Sequence, residues 1–262
     1  MAHCIYGPFL SRRLGLSLGV DLLFQQKFKT CTYDCVYCEI GFTKKVGLSS
    51  INKRIKLEEN TVNEIIERLK IVLNNERSID SITIGYFGEP TLIDNLDTIV
   101  DQIKNSRNEA NLNAPISIFT NSSTISNDLV RKNLSKTDRV IAKLDAADQN
   151  TFLRINRPHK TVPKISKIID GLKKYKINYK ENKLIIQTLL IEGKYKNTDY
   201  KNLKQLSAAF DLIKPDLIQL YSISRTPADK NVKYINKKHL NELKDVLIRN
   251  SENPKILDIQ IY

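Results

Sequence analysis

With 262 residues, 41% hydrophobic and 27% charged, the chain can bury a full core and is too ordinary in composition to be extensively disordered. Lys and Arg outnumber Asp and Glu by 42 to 29, a net charge of +13, which favours an anionic partner such as RNA through counterion release, although runs such as Lys173-Lys174-Tyr175-Lys176 also read as solvated surface. No apolar run is long enough to cross a bilayer and residues 1–8 lack a basic-then-apolar signal, so the reading expects one domain over 1–262, cytoplasmic and away from membranes.

Residues 11–19 read as a glycine-punctuated loop, in which Arg12 and Arg13 either hold a carboxylate or phosphate or stand exposed. Residues 20–24 read as a short apolar strand feeding Cys31-Thr32-Tyr33-Asp34-Cys35-Val36-Tyr37-Cys38, where three of the four cysteines fall in eight residues. One helical turn would put Cys35 and Cys38 on one face, with Cys31 approaching from the preceding loop. Three converging thiolates suit an iron-sulfur cluster with one open iron better than a structural zinc, which normally has four protein ligands. A zinc would need Cys4, His3, His159 or His239 as a distant fourth ligand. A disulfide would leave a cysteine over, and buried inert thiols are the remaining reading.

Asn60 reads as the cap of a helix carrying Val62, Ile65, Ile66, Leu69 and Leu73. A strand at 81–84 then ends in Gly85-Tyr86-Phe87-Gly88-Glu89-Pro90, and Leu92, Leu96, Ile99, Val100 and Ile103 mark a second helix. Strands follow at 116–119, closed by Thr120-Asn121-Ser122, and at 140–144, closed by Asp145. Pro163 opens a helix through Ile165, Ile168, Ile169 and Leu172. A strand at 184–191 carries Gln187 and Thr188. A helical stretch around Leu203, Leu206 and Phe210, a strand at 216–221, a helix at 240–248 and a terminal strand within 256–262 complete the chain.

Strands alternate with helices about six times, which predicts an α/β fold of parallel βα units. In closed or partly open barrels of such units, chemistry gathers at the C-terminal ends of the strands. The cysteine loop, Gly88-Glu89-Pro90, Thr120-Asn121 and Asp145 all sit at such ends and should face one mouth. Lys143 and Asp145 flank Leu144, so both could point inward, toward a ligand or each other.

With these residues in place, the chain resembles the radical S-adenosylmethionine (SAM) superfamily, through its C-x3-C-x2-C loop with Tyr37 before the last cysteine. The likeness extends to a branch of iron-sulfur oxidoreductases related to the tRNA wyosine-base synthases. It is carried by Ser11-Arg12-Arg13-Leu14-Gly15, residues 31–41, Gly88-Glu89-Pro90-Thr91-Leu92, Thr120-Asn121, Lys143-Leu144-Asp145-Ala146, Ile155-Asn156-Arg157-Pro158 and Arg225-Thr226-Pro227-Ala228. The resemblance implies a partial (β/α)6 TIM-like barrel with the cluster loop after the first strand, a core at about 16–225 and an extension at 226–262. It implies that Cys31, Cys35 and Cys38 each ligate one iron of a 4Fe-4S cluster, leaving the fourth iron to the amino and carboxylate groups of SAM. Reductive cleavage would then give a 5'-deoxyadenosyl radical that abstracts hydrogen from an unidentified substrate.

Gly88 and Glu89 look like the motif that meets the methionine amino group, and Tyr37 like the residue flanking adenine. Thr120, Asn121, Lys143, Asp145 and Gln187 complete the implied SAM contacts, with Thr188 as a further ribose neighbour. Asn156-Arg157-Pro158-His159 and Arg225 shape the substrate mouth or form surface salt bridges. Lys143 departs from the serine typical of the wyosine synthases. Only Cys4 remains of the second cysteine trio they use, which disfavours the wyosine reaction itself. The expected partners are a tRNA or other RNA and a one-electron donor such as a flavodoxin or ferredoxin. The alternatives are a glycyl-radical activase acting on a protein and a non-enzymatic metal-binding, RNA-associated protein.

Overall fold

Several of the strand-forming stretches are apolar almost throughout, the pattern of strands covered on both faces, while the stretches between them are apolar on one helical stripe. A computed structural model describes residues 4–43, 45–47, 55–76 and 78–262; His3 lies outside them. Helices α1 (Glu59–Asn75), α2 (Leu96–Glu109), α5 (Ile165–Asn178), α6 (Tyr200–Ile213) and α7 (Lys237–Arg249) turn these stripes inward. In α1 the buried positions are Val62, Ile65, Leu69 and Leu73, each contributing roughly 1.5–3 kcal/mol by leaving water.

The strands are β1 (Ile5–Ser11), β2 (Gly15–Val20), β3 (Ser81–Ile84), β4 (Ile116–Thr120), β5 (Arg139–Lys143), β6 (Lys183–Leu189), β8 (Leu217–Tyr221) and β10 (Ile259–Ile261). Among the described residues they form one eight-stranded sheet in the order β1-β2-β3-β4-β5-β6-β8-β10. From β2 to β10 every pairing is parallel, whereas β1 runs antiparallel along the β2 edge. The six strands β2, β3, β4, β5, β6 and β8 are the expected (β/α)6 set. The extension supplies α7 and β10, the latter registered Ile259 against Ile218. A small pair, β7 (Glu192–Gly193) and β9 (Val232–Lys233), lies outside the main sheet.

The largest departure from the sequence reading is at residues 11–19, which are a hairpin rather than a loop, so the first parallel strand is 15–20 and not 20–24. Its glycines have structural uses that mimic loop composition. Gly15 leaves the turn at φ +70°, where side chains are disfavoured. At Gly19 the Tyr6 ring lies so close that a Cβ would come within 2.1 Å of it. The hairpin tip sends Leu14 into a small apolar cluster with Ile141, Ile185 and Leu217, against Phe119, inside the curve of the sheet.

Helix starts differ as well. Glu58, not Asn60, is the N-cap of α1, and Asn60 lies in its first turn. Pro163 precedes the N-cap Lys164 of α5, and Leu92 belongs to a 3-10 turn, Pro90–Leu92, ahead of α2. Two short helices, α3 (Asp128–Leu134) and α4 (Gln149–Ile155), escape the periodicity argument because seven residues hold only two turns. Their signals were caps: Asn127 accepts from the Leu129 N–H, and Asp148 from those of Asn150 and Thr151.

Candidate active site

The cysteine loop leaves β2 and is pinned to the loop that follows β3 and to the end of α4. Glu89 N–H donates to the Thr30 carbonyl (2.8 Å), Val36 N–H to Ile155 (3.0 Å), and Asp34 N–H to Asn156 (3.1 Å). Cys35 and Cys38 are joined by a hydrogen-bonded turn, Cys38 N–H to the Cys35 carbonyl at 3.1 Å, rather than by a helix. Each sulfur receives its own side-chain donor. Asn121 Nδ2 lies 3.3 Å from Cys31 Sγ, Asn156 Nδ2 3.5 Å from Cys35 Sγ, and Lys29 Nζ 3.1 Å from Cys38 Sγ. Lys29 is only 8% exposed and also donates to the Gly41 carbonyl at 2.6 Å.

Burial, then the charge of Glu89, pushes the Cys31 thiol up to about 11, against the Asn121 hydrogen bond. Burial, Cys31 and Asp145 push Cys35 up to about 12, against Asn156. Without a metal these two sulfurs are protonated at neutral pH, and loading one releases protons.

Glu89 is 1% exposed, and its carboxylate ties its own turn to the end of β4 and the segment after it. Oε1 accepts from the Thr91 N–H (3.1 Å), the Thr91 hydroxyl (2.6 Å) and the Thr120 hydroxyl (2.8 Å), while Oε2 accepts from the Asn121 N–H (2.5 Å). Burial raises its pKa, with the four hydrogen bonds opposing. Gly88, at φ +153°, crosses the Thr30 carbonyl so closely that a Cβ would sit 2.0 Å from its oxygen. No other residue type fits there.

Across the mouth, Lys143 Nζ donates to Asp145 Oδ1 (2.8 Å) and the Tyr221 hydroxyl (2.8 Å), and lies over the Tyr37 ring, 4.9 Å from its centre. Burial lowers the Lys143 pKa, but the Asp145 carboxylate and Tyr221 outweigh it and leave it raised, so the ammonium keeps its charge. The Tyr37 hydroxyl donates to Asp145 Oδ2, which also accepts from Asn156 Nδ2 at 2.9 Å. Gln187 joins through its partner Gln219 (2.8 Å) and the Tyr221 hydroxyl (3.4 Å).

Thus Tyr37, Lys143, Asp145 and Gln187 form one hydrogen-bonded group beside Cys35, and Gly88, Glu89, Thr120 and Asn121 another beside Cys31. Thr188 departs from its expected place: its hydroxyl donates to the Leu144 carbonyl, away from Gln187, as strand alternation requires. Asn156 belongs to the centre rather than the mouth, at 3% exposure. Arg157 pairs with Asp229 at 3.5 Å and Arg225 with Glu39 at 2.9 Å. Lys29, Tyr221 and Gln219 were not singled out in sequence, since a lysine before a cysteine loop and polar residues at a strand end carry no spacing signal.

Among the described residues the distant zinc ligands Cys4, His159 and His239 do not assemble. Cys4 is buried in the main core, where Arg68 and Glu64 of α1 are its charged neighbours. His159 Nδ1 meets Thr161, and His239 meets Glu242 on α7. Among the described residues no three of His, Cys, Asp and Glu are placed to hold a single metal ion. A cluster that takes each cysteine on a different iron asks for wider sulfur spacing than one ion does.

Residues 26–196 match the radical SAM superfamily. The chain belongs to the radical SAM superfamily. A UPF0026 protein of Methanocaldococcus jannaschii is 35% identical over 87% of this chain and 66% of its own length. One of Helicobacter pylori is 33% identical over 86% and 68%. A Brachyspira hyodysenteriae protein named GTPase Obg is 32% identical over 92% of this chain, which covers 33% of that protein. The chain thus spans between a third and about two thirds of the length of these relatives. Among solved structures, a radical SAM methyltransferase from Sphaerobacter thermophilus superposes with TM-score 0.63 at 14% identity, covering 94% of this chain and 65% of that one. SuiB of Streptococcus suis bound to S-adenosylmethionine gives 0.59 at 16%, covering 90% and 48%. At these identities the superpositions show a shared fold alone.

Radical SAM proteins are enzymes whose cofactors are a 4Fe-4S cluster and SAM. The residues present fit that pair. Three soft thiols, each with a nitrogen donor, stand without a fourth cysteine, and Gly88 lets the Glu89 loop pack directly against the segment that leads into them. Among the described residues no helix is long and apolar enough to cross a membrane.

Proposed function

We propose that the chain is a one-cluster radical SAM enzyme, with the cluster on Cys31, Cys35 and Cys38 and SAM against Tyr37, Gly88, Glu89, Thr120, Asn121, Lys143, Asp145 and Gln187. The observation that carries this is the set of three sulfurs, each met by its own nitrogen donor at the C-terminal mouth of a parallel sheet. When bound, the cluster supplies the electron for reductive cleavage of SAM and hence a 5'-deoxyadenosyl radical able to abstract hydrogen. The protein holds the reacting groups in place. Asn121 and Asn156 favour the anionic form of Cys31 and Cys35, and Lys29 donates to Cys38. Glu89 keeps acceptor capacity on Oε2 for an ammonium. The charged Lys143 offers a donor to a carboxylate or ribose oxygen.

The substrate class we favour is RNA, such as a tRNA, on the ground of the +13 charge and its counterion release; the single cysteine trio sets the reading apart from the two-cluster wyosine synthases. Reconstituted without oxygen and reduced by dithionite or a flavodoxin, the enzyme should form 5'-deoxyadenosine from SAM, and Cys35→Ala should form none. In the same preparation tRNA should bind with an affinity that falls steeply with salt. Absence of 5'-deoxyadenosine from cluster-loaded protein removes the enzyme reading, and salt-independent tRNA binding removes the RNA one.

A further inference from the structure

Between the β1–β2 hairpin and the loop after β8 lies a cavity of about 1170 Å3 that reaches Gly88 and Glu39, next to the SAM and cysteine loops. Its charged lining is unevenly satisfied. Asp21 accepts from the Leu23 N–H at 2.9 Å, and burial raises its pKa. Glu39 is paired with Arg225. Arg12 and Arg13 have no carboxylate partner among the described residues. The Arg13 guanidinium lies over the Tyr221 ring, 4.4 Å from its centre, and its Nη1 is buried without a hydrogen-bond acceptor. Burying a charged donor without an acceptor is costly, and the oxygen of an anion would supply the missing one.

The same lining is also aromatic. Tyr6 stacks on Phe9 with ring centres 6.1 Å apart and meets Tyr86 at 5.1 Å. Tyr86 is 53% exposed and Phe9 44%, although large rings ordinarily seek burial. Cations and the exposed rings of Phe9 and Tyr86 lining one cavity match one ligand chemistry.

Resting on the radical SAM reading, we propose that this cavity is the substrate chamber and that it takes an anion bearing a flat ring. Arg13, with Arg12, holds the phosphate or carboxylate, and Phe9 and Tyr86 take the ring, with Tyr6 behind them. A nucleotide and an aromatic carboxylic acid share this chemistry. Arg13 then touches at once the substrate and Tyr221, whose hydroxyl meets Lys143 in the SAM group.

The test is calorimetric titration of the cluster-loaded, oxidised enzyme under saturating SAM, which keeps the probes out of the SAM site. Uridine 5'-monophosphate, benzoate, uridine and inorganic phosphate are the probes. One of the two charged-ring probes should bind, and tighter than uridine or phosphate. Preference for the nucleotide assigns the phosphate source, preference for benzoate the carboxylate. Arg13→Gln should weaken that probe by at least about tenfold, the scale of one charge-assisted contact, with Arg13→Lys in between. Tyr86→Ala, on the exposed rim, should weaken the charged-ring probe and leave phosphate unchanged, and Arg68→Gln on α1 should change nothing.

Binding by neither charged-ring probe, or an unaltered affinity in Arg13→Gln, overturns the inference. Cluster content and SAM affinity on the same samples report on the radical SAM reading separately: protein that holds both cofactors yet ignores the probes defeats the chamber assignment alone.

Discussion

Glu89 sets burial against hydrogen bonding most directly. Its pKa lies above the ordinary 4.5 because burial outweighs four donors. Just above pH 4.5, therefore, the folded protein holds a proton that the unfolded chain has released. Stability then falls as pH rises through the folded value. Glu89→Gln should flatten that slope in thermal melts from pH 4.5 to 7 and weaken SAM binding about tenfold, the loss of one charge-assisted bond. An unchanged slope would place the carboxylate in a better solvated setting than its 1% exposure indicates. The loop that brings three cysteines to the mouth was legible, because they fall within eight residues. Lys29 was not, and Asn156 was read as part of the mouth rather than as a neighbour of Cys35, since their approach to Cys38 and Cys35 joins residues 9 and 121 apart in the chain.

At the level of elements, α5 packs on the loop before α3 through Gly171, where a Cβ would stand 2.8 Å from the Ile125 carbonyl oxygen. Alanine for glycine inside a helix ordinarily gains about 1 kcal/mol. Here the backbone clash costs roughly 1–3 kcal/mol. Gly171→Ala should consequently lower Tm by a few degrees, and a higher Tm would mean that the two elements separate freely. Long helices with a buried stripe and apolar strands could be placed from periodicity to within a few residues. The hairpin at 11–19 could not, because its glycines serve close packing against Tyr6 and a turn exit, uses that composition does not distinguish from a loop.

For the molecule as a whole, the order of parallel units brings loops from distant parts of the chain to one mouth, so that a likeness spread over 11–228 becomes one contiguous site. Sequence reached this arrangement because the C-terminal ends of parallel strands converge whatever the loops contain. It could not reach the cavity beside the hairpin, whose walls come from segments about 200 residues apart and include β1, an element not foreseen. A cluster with one iron open to SAM underlies the proposed function. Electron-nuclear double resonance of the reduced enzyme with SAM labelled at its amino nitrogen and carboxylate oxygens tests this most directly. The predicted spectrum shows hyperfine coupling of the cluster to both labels, lost in Cys35→Ala; a spectrum indifferent to the labels, or protein that holds one zinc ion in place of iron, contradicts it.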